Sequence, residues 1–138
     1  MYPPELVAPM KGELTSVGFK ELLTAEEVDT ALNSTKGTTL VVVNSVCGCA
    51  ARMARPGVRI ALQQNAKKPD TLTTVFAGVD RESTQRAREY MLPYPPSSPS
   101  IALFKDGKLV HFLERHHIEG RPAEVIAENL KAAFNEYC

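Results

Sequence analysis

The stretch Thr38-Thr39-Leu40-Val41-Val42-Val43-Asn44-Ser45-Val46-Cys47-Gly48-Cys49-Ala50 decides the fold. Its first seven residues are β-branched or apolar with almost no polar alternation, which predicts a strand buried on both faces, as in a parallel sheet. Good helix formers follow, Ala50-Ala51-Arg52-Met53-Ala54-Arg55. Two thiols separated by one glycine therefore stand where a strand hands over to a helix. Backbone N–H groups point outward at a helix start, and the positive end of the helix dipole favours thiolate over thiol. The placement implies redox or thiol-exchange chemistry.

Downstream, Pro56 and Gly57 interrupt the helical pattern, and Val58, Ala61 and Leu62 resume its apolar stripe. This predicts one helix, kinked near Pro56 and ending around Ala66. Residues 72–77 read as a second strand closed by Gly78, and Asp80 as the cap of a helix over 81–91. Four prolines within residues 92–99 exclude helix and central strand there. Residues 100–105 read as a third strand. Asp106-Gly107 is a strong two-residue hairpin signal, with a returning strand over 109–114. Residues 122–137 form an amphipathic helix with Val125, Ile126, Leu130, Ala133, Phe134 and Tyr137 on its inner stripe.

Upstream, Leu6, Met10, Leu14 and Val17 recur at helical spacing, although Pro9 and Gly12 argue against one continuous helix. Thr24 and Glu27 make a capping box for a short helix through Val28 and Leu32, ended by Lys36-Gly37. The order is β-α-β-α-β-β-α. It predicts an α/β protein with a mixed central sheet flanked by helices. The whole chain, 1–138, reads as a single domain, with a helical lead-in over 1–37 and a core over 38–138.

A chain of 138 residues, 43% hydrophobic, is long enough for one real core. Its net charge of zero gives no electrostatic case for a nucleic acid or an anionic membrane as partner. No apolar run approaches the roughly 20 residues of a membrane helix. The N-terminus lacks a signal-peptide pattern, so the expected location is cytoplasmic. In that setting three cysteines point to catalysis or metal binding rather than a disulfide framework.

This arrangement resembles the thioredoxin fold. Pro99 stands before an apolar run ending in Phe104-Lys105-Asp106-Gly107-Lys108, where thioredoxins carry a cis proline facing the redox cysteines. Pro56 occupies the slot of their kinking helix proline. One subfamily is closer. Val43-Asn44-Ser45-Val46-Cys47-Gly48-Cys49-Ala50, Val75-Phe76-Ala77-Gly78, Tyr94-Pro95-Pro96-Ser97-Ser98-Pro99-Ser100 and Glu114-Arg115-His116 resemble the bacilliredoxins. That resemblance implies exchange of a low-molecular-weight thiol, bacillithiol, with protein cysteines, and weak disulfide isomerase activity. S-thiolated client proteins and the small thiol are then the partners, with no bound cofactor. Two thioredoxin features are missing. The chain has no tryptophan, and Val41 and its neighbours replace the buried aspartate of the first strand.

Cys47 is the expected nucleophile and Cys49 the resolving thiol, against the alternative that both are small buried hydrophobes. Gly48 allows an unusual backbone angle between them. A disulfide across one residue closes a strained ring and is easily reduced, which argues against a strong protein reductase. Pro99 is either a simple loop proline or, as the resemblance implies, a cis wall that leaves the Ser98 backbone free to pair with a client strand. Ser98 and Ser100 either hydrogen-bond substrate or stabilise the turn. Cys138 is either an exposed free thiol or a further redox thiol, resolving or intermolecular. Arg52 and Arg55 either stabilise thiolate or an anionic small thiol, or are solvated charges. His116 and His117 with the cysteines suggest a zinc site, but neighbouring side chains diverge in extended chain, so no metal is expected.

Overall fold

The computed structural model describes residues 2–33 and 36–138; Met1, Ser34 and Thr35 lie outside the described residues. Five strands form one mixed sheet: β1 (Lys20–Glu21), β2 (Thr38–Asn44), β3 (Thr71–Phe76), β4 (Ser100–Lys105) and β5 (Lys108–Leu113). Their spatial order is β1-β3-β2-β4-β5. β2 is central, parallel to β3 and antiparallel to β4. All of its residues are buried, as its unbroken apolar run predicts.

Strand alternation sends Leu40 and Val42 to one face of the sheet and Val41 and Val43 to the other. Helices α1 (Pro4–Thr15), α3 (Arg55–Gln64) and α6 (Ala123–Tyr137) cover the first face. Helices α2 (Ala25–Leu32) and α4 (Arg81–Tyr90) cover the second. The expected α/β architecture is therefore present, and its layers leave the C-terminal end of β2 open toward solvent. The Thr24–Glu27 capping box starts α2 as predicted. Asp106 and Gly107 both have positive φ, as the tight hairpin requires.

Several expectations needed correction. α1 runs unbroken through Pro9, whose missing N–H costs only one bond near the helix start. Its buried residues are Val7 and Leu14, while Leu6 is exposed. β1 carries only Lys20-Glu21, too short and polar to show a strand pattern, and exists by pairing with β3. The expected kink near Pro56 takes the form of a π-helical turn, Ala50–Ala54, before α3. A regular α turn would set the proline ring against the carbonyl four residues back, and the wider turn relieves this. α3 ends at Gln64 rather than near Ala66.

Gly57 has a packing reason: a Cβ there would lie 2.8 Å from Ile126 Cγ2, so its absence lets α6 approach α3. Asp80 stands at the N-cap of α4 without capping it; its carboxylate pairs with Lys11 at 2.9 Å instead. Val125, assigned to the inner stripe of α6, is exposed, and Ala127 is buried in its stead. After β5 comes a short helix, α5 (Arg115–Ile118), where the sequence reading takes His116 and His117 as extended chain. It carries the next part of the site.

Candidate active site

Beyond Asn44 the chain leaves the sheet, and its backbone polar groups need partners other than the ladder. Asn44 and Arg55 supply them. Asn44 Oδ1 accepts from the Ser45 N–H at 2.9 Å and from Arg55 Nη1 at 2.8 Å. Arg55 Nη1 also donates to the Ser45 carbonyl at 3.0 Å. The Cys47 N–H donates to Ser45 Oγ at 3.2 Å. Asn44 Nδ2 donates to the Met10 carbonyl in α1 at 3.2 Å. Arg55 is only 1% exposed, and its Nε lies 3.3 Å from the Glu13 carboxylate, close but not aligned as a hydrogen bond. The loop beneath Cys47 is thus tied to α1 and α3.

On this support the two sulfurs are half-buried. The Cys49 N–H donates to Cys47 Sγ at 3.3 Å. The Ala50 and Ala51 N–H groups donate to the Cys47 carbonyl at 3.0 and 3.2 Å and close the turn. Arg115, the first residue of α5, reaches over from the other side. Its Nη2 lies 3.3 Å from Cys47 Sγ and 3.8 Å from Cys49 Sγ. Its Nη1 donates to the Ser98 carbonyl at 3.1 Å, and its Nε to Glu119 Oε2 at 2.8 Å. Glu119 Oε2 is also 3.8 Å from the Cys49 thiol.

These contacts split the two cysteines. Burial disfavours a Cys47 thiolate, but the Cys49 N–H, the Cys49 thiol, the Arg115 charge and the Ala50 N–H outweigh it, and Cys47 falls below the ordinary thiol range. Cys49 is pushed above that range, first by donating its proton to Cys47, then by burial and the neighbouring negative charge. The arrangement favours ionisation at Cys47 over Cys49, which makes Cys47 the better attacking sulfur.

The residues singled out from sequence fall as follows. Cys47 and Ser98 line one groove with Arg115, Arg88 and Gly78. Pro99 is buried, and the Ser98–Pro99 peptide is cis, as is Leu92–Pro93. The Ser98 carbonyl accepts from Arg115, which takes one of its two lone pairs. Ser100 is buried inside β4, out of reach of a substrate. Gly48 is exposed and not in a positive-φ conformation, and a Cβ there would meet nothing within 4 Å. The positive φ expected of Gly48 is absent, and the space a Cβ would take there is open.

Cys138 lies beside Thr38 and Asp70 at the other end of β2, a seven-residue strand of about 23 Å. Arg52 is exposed, and Arg55 is neither solvated nor in contact with a sulfur: it holds the loop. His116 and His117 are on a helical turn rather than extended chain, with ring centroids 4.0 Å apart. Their ring nitrogens gather with the Glu114 carboxylate, and neither cysteine belongs to that cluster.

The sequence reading quotes Arg115 only within the motif Glu114-Arg115-His116, with no role in the site, and does not reach Glu119. A signal was present. Ile101 pairs with Leu113, so the residue two beyond Leu113 must lie level with the start of β4, next to the proline-rich loop. A cation at that point faces the strand-to-helix junction of β2, since β4 is β2's neighbour.

Comparison with known proteins places the chain in a family. A family described as disulphide isomerase matches residues 2–138. A bacilliredoxin of Cytophaga hutchinsonii is 62% identical over 136 residues, 99% of each chain. The chain belongs to the bacilliredoxin family. A further bacilliredoxin, from Halalkalibacterium halodurans, is 55% identical over 99% of this chain and 94% of its own. Among solved structures, the oxidized mitochondrial thioredoxin 3 of Saccharomyces cerevisiae superposes with a TM-score of 0.59 at 17% identity, over 90% of this chain and 98% of that one. A thioredoxin of Halobacterium salinarum gives 0.57 at 19% identity, over 85% and 88%. These likenesses show the thioredoxin fold alone. Fold and family together make this bacilliredoxin a thiol–disulfide oxidoreductase. Among the described residues no helix is long and apolar enough to cross a membrane.

Proposed function

We propose that this bacilliredoxin removes low-molecular-weight thiol caps, of the bacillithiol type, from the cysteines of client proteins in the cytoplasm. The observation that carries the reading is the Cys49 N–H and the Arg115 guanidinium both aimed at Cys47 Sγ, which lower Cys47 while Cys49 is raised. Cys47 attacks the outer sulfur of a mixed disulfide. The client–cap S–S bond breaks, a Cys47–cap S–S bond forms, and the client sulfur leaves as thiolate to take a proton from water. A second small thiolate then attacks the cap sulfur, giving the small-molecule disulfide and regenerating Cys47. Alternatively Cys49 attacks Cys47, expelling the cap as thiolate and leaving a Cys47–Cys49 disulfide for a later reductant thiol. Glu119, beside Cys49, is placed to accept its proton in that branch.

Arg115 stabilises the thiolate before attack and orients it toward the groove at Ser98. The absence of a buried carboxylate in β2 fits an enzyme whose attacking sulfur is prepared from outside the sheet. Disulfide isomerisation is a second reading, supported by the description of the matching family and requiring the same thiolate.

Mass spectrometry of the protein mixed with a capped client tests the assignment. Cys49→Ala is expected to free the client and accumulate the Cys47–cap adduct in stoichiometric amount. Loss of the first attack in Cys49→Ala, with retention in Cys47→Ala, would reverse the roles.

A further inference from the structure

The groove beside Cys47, of about 540 Å³, has a second cation that the chemistry above does not use. Arg88, on α4, lines this groove and also the adjoining cavity toward Leu92 and Tyr94. Its Nε is buried without a hydrogen-bond partner. So is the hydroxyl of Thr84, one turn earlier on the same helix. The only hydrogen bond described for its guanidinium is a long one, Nη2 to the Ser97 carbonyl at 3.5 Å. Among the described residues no carboxylate pairs with Arg88, and burial pushes its guanidinium below its ordinary value. Glu89, in the adjoining cavity, is engaged by Arg86.

A half-buried guanidinium whose Nε is buried and orphaned is costly unless something fills it. Arg115 stands on the same groove and holds the next carbonyl along, that of Ser98. Its own counter-ion, Glu119, takes its Nε. Two planar cations thus line, with the attacking sulfur, one groove of small-molecule size.

We propose that Arg88, with Arg115, forms an anion subsite that receives a carboxylate of the small-thiol cap while Cys47 attacks its disulfide. This deepens the de-capping reading and rests on it. Arg88 is then a specificity-determining residue: it distinguishes carboxylated thiol caps from neutral ones. The groove's size and the presence of Cys47 in its lining favour the cap, which moves onto that sulfur, over an acidic side chain of the client.

The test uses unreactive look-alikes of the cap, so that it does not depend on turnover. S-methyl mercaptosuccinate and its neutral counterpart, 2-(methylthio)ethanol, are compared for protection of Cys47 against iodoacetamide in the full chain. The dicarboxylate is expected to protect at about tenfold lower concentration, a difference that added salt weakens. Arg88→Gln is expected to erase that difference, and Arg88→Lys to keep part of it. Equal protection by the two ligands in the unmodified protein overturns the subsite, whatever the variants do. So does a selectivity that survives in Arg88→Gln. A mercaptosuccinate-capped client run in parallel separates the two readings: selective protection without client release keeps the subsite and removes de-capping, and release without selectivity does the reverse.

Discussion

The two ends of β2 each hold cysteine, and they treat it in opposite ways. Beyond the C-terminal end, Cys47 receives a backbone N–H and the Arg115 guanidinium on its sulfur and sits below the ordinary thiol range. Beside the N-terminal end, Cys138 is exposed, yet partial desolvation pushes it above that range, only partly offset by Thr38, with Asp70 adding to the rise. Exposure alone therefore does not make a reactive thiol. Reactivity follows from donors already aimed at the sulfur, and those donors are a property of the strand-to-helix junction and of α5.

The largest effect that would break this contrast is loss of the sulfur itself. Cys47→Ala is expected to abolish release of the small thiol from a capped client, whereas Cys138→Ala keeps the rate within about twofold in the same assay. Comparable losses in both variants would erase the distinction between the ends.

Next comes the support beneath the reactive end. Arg55→Met removes the buried donor to Asn44 and Ser45 and leaves Glu13 without its partner. A loss of about 3 kcal/mol is expected in denaturant unfolding.

A smaller effect sharpens the electrostatic part. Arg115→Gln should raise the midpoint of Cys47 alkylation by about one pH unit and slow labelling near neutrality about tenfold. In the unaltered protein the sign is fixed by the directions of the shifts. Thiolate fraction rises with pH, so Cys47 labels at lower pH than Cys138. Because Cys47 is depressed on folding, its contribution to stability is present above the unfolded thiol value and is lost as pH falls through the folded one. The smallest effect is Gly48→Ala. With ordinary backbone angles and no atom near the added Cβ, unfolding should change by less than about 0.5 kcal/mol.

Much of the fold is readable in the chain because its signals are local. β2 shows itself as an unbroken apolar run, the hairpin as Asp106-Gly107, and α2 through its capping box. β1 is invisible because two polar residues become a strand only by finding an edge. Val125 was misplaced because helical spacing gives the period of a stripe and not its phase to within one residue.

The two thiols were legible for the same local reason. Their partners were not, because Arg115 and Glu119 come 66 and 70 residues after Cys49. Arg55 misled for the opposite reason. It is close to the cysteines in sequence, but the π-helical turn carries it beneath the loop rather than toward the sulfurs.

The tie between Met10, Glu13, Asn44 and Arg55 has a consequence for anyone transplanting this motif. A fragment beginning at β1 would keep both sulfurs, all five strands and the arginine of α5. It would also strand a buried cation with no counter-ion and an amide with no acceptor. Grafting the dithiol into another thioredoxin-like scaffold thus means moving the leading helix along with it, as one unit.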